Sequence, residues 1–190
     1  KDHGAVTANY VSMLDAKNEE GKWKLFLNDE ITNEKFEIKA DVVINAGGPF
    51  GKDLTTKFHD QTVHQLALSK GIHLVVPKLT TNNRVLAFFD DKGRLFYVIP
   101  MQDRSVIGTT DTRVENPVSE VTDEDRDFVL EQANRCLNLV KPLTKDDIIS
   151  ERCGVRPLVV KGKKDVSKIE WTALSRKHRS EEHTSELQSH

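Results

Sequence analysis

This chain has little of what marks several common classes of protein. Only two cysteines occur in 190 residues. They are Cys136 and Cys153, without metal-ligand spacing, which argues against a disulfide framework and fits a reducing compartment. Twenty-eight basic residues against thirty acidic ones leave a formal charge of −2, so no positive excess advertises nucleic-acid binding. No apolar run approaches the roughly 18 residues needed to span a bilayer, and no secretory signal is present. The histidines have no Cys/His/Asp spacing, and no metal is expected. A G-x-G-x-x-G turn at the start of a βαβ unit is also absent. What remains is 37% hydrophobic, enough for a core of ordinary size in one domain or one and a fraction.

Strand signals come first. Ala5 to Val11 and Trp23 to Leu27 read as strands separated by the polar stretch Asp15 to Gly21, and Lys35 to Lys39 adds a third, a small antiparallel meander. Ala40 to Asn45 is a continuous apolar run of the sort a buried parallel strand requires, and it ends in Ala46-Gly-Gly-Pro49. A short helix is expected over Phe50 to Phe58, because proline suits a helix start. Strands Gly71 to Pro77, Val85 to Asp90, Leu95 to Pro100 and Ser105 to Thr109 follow, with turns at Asp91 to Gly93 and Gln102 to Arg104, spaced as an antiparallel sheet. Thr122-Asp-Glu-Asp125 has the form of a capping box, and Phe128, Val129, Ala133, Leu137 and Val140 lie on one face of a helix ending near Lys141-Pro142. At Glu151 to Pro157 the chain is expected to change direction.

Four motifs stand out in order: Ile44-Asn-Ala-Gly-Gly-Pro49, Ser69-Lys-Gly-Ile-His-Leu-Val-Val-Pro77, Leu95 to Thr112 ending in Gly108-Thr-Thr-Asp-Thr112, and Cys153-Gly-Val-Arg-Pro-Leu158. Together they resemble the flavin-dependent glycerol-3-phosphate dehydrogenases, within the larger group of amino-acid and hydroxy-acid oxidases that share their fold. The resemblance runs from about Gly4 to His178. It implies an α/β plus α+β architecture: a partial FAD-binding, Rossmann-like domain with its β-meander, and an antiparallel-sheet substrate domain. The expected division is 1–60 for the partial FAD-binding domain, 61–150 for the substrate domain, 151–178 for a segment returning toward the flavin and substrate, and 179–190 for a tail.

Oxidising a secondary alcohol with a flavin needs a hydride path, a proton acceptor and cations that fix an anionic tail. Arg156 is the first candidate cation, since Gly154 lets the backbone approach a ligand and Pro157 fixes the chain after it. The resemblance implies that Arg156 points into the substrate cavity and that Arg176 is a second substrate-binding arginine. His73 could accept a proton, although a strand histidine more often only packs and hydrogen-bonds. Thr110, with Thr109 and Asp111, could hydrogen-bond substrate or flavin, or simply cap a turn. The resemblance assigns FAD contact to Ala46, Gly47 and Gly48, where a strand end would let the main chain approach a dinucleotide.

The implied reaction is oxidation of sn-glycerol 3-phosphate to dihydroxyacetone phosphate with electrons passed to quinone, in a cytoplasmic protein or one peripheral to the inner face of the cell membrane. No nucleic-acid partner is expected. Arg179 to His190 looks like the in-frame translation of a sequencing adapter, and the opening lacks the glycine-rich turn. The chain therefore reads as an internal fragment, expected to be inactive and aggregation-prone alone. The alternatives are another FAD-dependent amino-acid or 2-hydroxy-acid oxidase, or a non-enzymatic β-rich binding module.

Overall fold

The computed structural model describes residues 3–58, 64–90 and 93–161. The chain divides into two compact units, one of residues up to Leu66 with the stretch from Val159, the other Ala67–Leu158.

The first unit contains a three-stranded antiparallel meander, β1 (Val11–Glu19), β2 (Lys22–Asp29) and β3 (Lys35–Ala40), in sequence order. β1 lies further along the chain than its composition suggests. Asp15 to Glu19 is strand, paired residue by residue with β2 up to Glu19 opposite Lys22. The turn is only Glu20-Gly21, both at positive φ (53° and 81°), which matches the twist of a two-residue hairpin. Pairing along the meander outweighs the polar composition that resembled a loop.

A second difference follows β3. Ala40 to Asn45 was expected to be a buried parallel strand, yet β3 stops at Ala40 and residues 42–47 carry no ladder. Val42 is 73% and Ile44 82% exposed. Among the described residues no parallel strand flanks this run, and an unpartnered apolar segment has nothing to bury against. A 3-10 turn, Gly48–Phe50, then leads into α1 (Gly51–Lys57), the short helix that the Gly-Gly-Pro segment foretold. α1 leans on the meander: Phe58 just beyond it meets Trp23 edge-on, ring centroids 5.2 Å apart, and Lys57 Nζ donates to the Met13 carbonyl.

The second unit is built on an antiparallel sheet of β4 (His64–Pro77), β5 (Leu86–Phe89), β6 (Leu95–Met101), β7 (Arg104–Gly108) and β8 (Thr112–Val114), ordered β5-β6-β7-β4-β8, with β9 (Ser150–Lys161) also on β4. Alternation sorts its faces. Ile72, Leu74 and Val76 of β4, Phe96 and Val98 of β6 and Ile107 of β7 point to one side. There they form the core with Val129, Leu130 and Ala133 of α2 (Asp123–Cys136). Each Val, Leu, Ile or Phe among them contributes about 1.5–3 kcal/mol when fully withdrawn from water.

α2 starts where its capping box predicts: Asp125 N donates to Thr122 Oγ1 at 3.3 Å, and Thr122 N to Asp125 Oδ2 at 3.0 Å. It ends at Cys136, short of Lys141. Asn134 Nδ2 donates to the Leu143 carbonyl (2.9 Å) and Asn134 Oδ1 accepts from Leu143 N (2.7 Å). The chain is thereby doubled back against the last turn, and Val140 is left fully exposed. Glu151 to Pro157 makes no change of direction either. It runs extended within β9, whose approach is fixed by Ile149 N donating to Val75 O at 2.8 Å.

Candidate functional site

The face of the second sheet away from α2 carries the candidate site residues His73 and Arg156. Tyr97, Gly108 and His73 lie in one cross-strand row, and His73 sits directly over Gly108, where an added Cβ would come within 3.0 Å of the ring. Gly108 has a φ of 149°, and the same Cβ would meet the Ile72 carbonyl at 2.7 Å. Only glycine fits there.

Beyond that row the ladder is irregular. His73 pairs with Gly108 and Lys70 with Thr112, so three residues, Thr109 to Asp111, face only Gly71 and Ile72. This is a β-bulge, which re-aims side chains at the point where regular pairing stops. Thr110 turns inward: it is 4% exposed and its hydroxyl accepts from Ile72 N at 3.1 Å. Ser69 Oγ donates to the Asp111 carboxylate and closes the bulge's other side. Thr109 instead meets Arg156. Its hydroxyl donates to the Thr110 carbonyl (3.1 Å) and accepts from Arg156 Nη2 (2.9 Å).

Arg156 reaches this position from β9. Its guanidinium lies against Gly71, where any Cβ would overlap it. The missing side chain at Gly71 is therefore what admits the cation to the sheet. Gly71, His73 and Arg156, with Arg152, Cys153, Gly154 and Val155, line a cavity of about 270 Å³. Burial, and then the positive charges of Arg156 and Arg152, hold the His73 imidazole below the ordinary histidine value. The arrangement suits an anion beside a neutral imidazole able to accept a proton.

On its other face, β4 anchors the site. Lys70, 5% exposed, donates to the Asp125 carboxylate and to the Glu120 carbonyl (3.2 Å). Burial raises the Asp125 pKa, but the hydrogen bond from Lys70 and those from Thr122 outweigh it and leave the carboxyl below its usual range.

The candidate cofactor segment lies in the first unit. Asn45 ties this segment to α1, its Nδ2 donating to Gly51 O (2.9 Å) and Thr55 Oγ1 (3.2 Å), while its Oδ1 accepts from Gly47 N (3.1 Å). A Cβ at Gly47 would overlap Leu54 of α1. Gly48 has a φ of +56° and open space where a Cβ would stand, and Ala46 is exposed. Asn45 and Ala46, with Met13, Val43, Ile44, Leu54 and Phe58, line a hollow of about 200 Å³. Open space at Gly48 and an exposed Ala46 fit close approach of a dinucleotide to this turn.

Of the expected site residues, His73 and Arg156 are brought together, Thr110 supports the bulge, and Ala46, Gly47 and Gly48 form the turn into α1. Arg176 lies outside the described residues. The sequence pattern marked Thr109 only together with Thr110 and Asp111, and it did not single out Gly71 or Arg152. Of these, Arg152 could have been found, because residues four apart in a strand share a face. Among the described residues no group of His, Cys, Asp and Glu could hold a metal ion.

The chain belongs to the FAD dependent oxidoreductase family, whose model matches residues 1–174. Within it, the chain is similar to the aerobic glycerol-3-phosphate dehydrogenases of Staphylococcus haemolyticus (35% identical over 147 residues, 75% of this chain and 26% of the relative) and Staphylococcus aureus strain USA300 (35% over 145 residues, 74% and 26%). It thus spans about a quarter of the length of these curated relatives. Among solved structures, the glycerol-3-phosphate dehydrogenase from Bacillus halodurans complexed with FAD superposes with a TM-score of 0.71 at 32% identity, covering 84% of this chain and 33% of that one. Glycine oxidase from Geobacillus kaustophilus shares the fold, with a TM-score of 0.55 at 19% identity over 82% of this chain and 38% of that one. The non-enzymatic binding module is thereby set aside.

Proposed function

We propose that the protein carrying this chain is an FAD-dependent glycerol-3-phosphate dehydrogenase that oxidises sn-glycerol 3-phosphate to dihydroxyacetone phosphate. The observation that carries this reading is the Arg156 guanidinium held over Gly71 by Thr109, beside a half-buried His73. The glycerol-3-phosphate dehydrogenases among its relatives and structural neighbours support the same substrate.

Arg156 fixes the phosphate by donating from its planar fork to two oxygens, and Arg176 supplies further positive charge. His73, neutral at working pH, accepts the proton of the alcohol as the C–H hydride leaves. Thr110, by holding the bulge, sets where Thr109 and hence Arg156 stand. Ala46, Gly47 and Gly48 hold FAD by main-chain contact, and FAD when bound supplies the hydride acceptor. The alcohol loses one hydride and one proton, which balances formation of the ketone.

Quinone takes the electrons onward in this reading, with a cytoplasmic protein attached peripherally at the inner face of the membrane. No helix among the described residues is long and apolar enough to cross a membrane.

The test is dye-linked reduction by the complete FAD-loaded protein offered glycerol 3-phosphate, glycine and lactate. Turnover of glycerol 3-phosphate alone is expected. Turnover of glycine or lactate in its place would assign the protein to the amino-acid or hydroxy-acid oxidases.

A further inference from the structure

Arg152 stands four residues before Arg156 on β9, so alternation sends both side chains to the same face, with Gly154 between them adding no side chain. Glu151 obeys the same rule in the opposite direction: its carboxylate accepts Nε and Nη2 of Arg126 on α2, both at 2.8 Å. Arg152 turns instead toward the site. Its Nη2 lies 3.9 Å from Met101 Sδ, on the same face of β6 as Tyr97, and it lines the cavity of His73 and Arg156. Among the described residues no carboxylate pairs with Arg152, whereas Arg94, Arg104 and Arg126 each lie against an Asp or Glu.

We propose that Arg152 is a second anion-binding residue of this cavity, acting with Arg156 on a dianionic phosphate ester. The identity of that ester as glycerol 3-phosphate rests on the function proposed above. The Cα atoms of the two arginines are about 13 Å apart along an extended strand, within reach of one ligand for two long side chains that both line the cavity. A carboxylate has one charge and two oxygens, which a single fork satisfies. A phosphate dianion has two charges and three terminal oxygens, enough to accept from two guanidinium groups at once. The pair therefore selects phosphate esters over carboxylates. Its effect on His73 is consistent with this, since both arginines act on the same imidazole.

The experiment compares wild-type, Arg152→Gln and Arg152→Lys forms of the complete FAD-loaded protein. It measures steady-state rates with glycerol 3-phosphate and competitive inhibition by inorganic phosphate. Arg152 is exposed, so neither substitution threatens the fold. Arg152→Gln should raise KM for glycerol 3-phosphate and Ki for phosphate together by roughly ten-fold, with kcat changed by less than about two-fold, and Arg152→Lys should recover part of the loss. Unaltered KM and Ki in Arg152→Gln would overturn the proposal. If the protein instead oxidises a carboxylate substrate, the glycerol 3-phosphate reading fails on its own account. Phosphate affinity measured by flavin absorbance then decides separately: a drop in Arg152→Gln upholds the dianion site, and no drop removes it.

Discussion

The guanidinium of Arg156 occupies the space in which a side chain at Gly71 would stand. The overlap involves the far end of a flexible side chain, so Gly71→Ala displaces the arginine without disturbing the strand, where Gly71 has no left-handed φ. Stability should change by less than about 1 kcal/mol. Affinity for the substrate anion should fall by roughly ten- to one-hundred-fold, as expected for loss of a charge-assisted contact. Thermal unfolding and KM, measured on the same preparation, check both halves.

Gly108 gives the opposite result although it lies in the same sheet. A Cβ there meets main chain, the Ile72 carbonyl, which cannot step aside without breaking the β4 and β7 ladder. Gly108→Ala should therefore cost about 1–3 kcal/mol of stability, seen as a lowered Tm, with activity lost in proportion to the unfolded fraction at assay temperature.

Lys70 and Asp125 form a buried ion pair, 5% and 6% exposed. Lys70→Met strands the Asp125 charge and should destabilise by about 3 kcal/mol at pH 7. The Asp125 pKa is lower folded than unfolded, so the pair stabilises above its ordinary value of 3.8 and the contribution is lost as pH falls through the folded pKa. Tm followed from pH 7 downward should converge for wild type and Lys70→Met at the acid end.

His73 is held below the ordinary value of 6.5 by burial first and by Arg156 and Arg152 after it. A proton acceptor works as the neutral form, which a lowered pKa preserves to lower pH, so the acid limb of kcat/KM should have its midpoint below 6.5. Arg152→Gln removes one positive neighbour and should move that midpoint upward. His73→Asn should remove the limb and lower kcat by about 100-fold.

Much of the fold could be read from the chain, and the failures share one cause. The start of α2 was legible because a capping box is local chemistry between Thr122 and Asp125. Its end was not, because Asn134 reaches Leu143 nine residues away. The hairpin expected around Gln102 to Arg104 is present, with its turn narrowed to Gln102-Asp103 because Met101 and Arg104 pair across the strands. Ala40 to Asn45 was misjudged, since burial of an apolar run depends on a partner that local sequence does not specify. At the site, His73 and Arg156 carried signals in their own motifs. Thr109 and Thr110 could not be separated, because a bulge decides which of two neighbours turns inward. Arg152 was missed because a change of direction was expected at Glu151 to Pro157, where the chain stays in one strand.

The most direct test of the central claim is anaerobic titration of the complete FAD-loaded protein with glycerol 3-phosphate, following bleaching of the oxidised flavin band. The account predicts saturable bleaching that needs roughly one-hundred-fold more substrate in Arg156→Ala. A flavin left oxidised by glycerol 3-phosphate, or bleached equally well in Arg156→Ala, would contradict it.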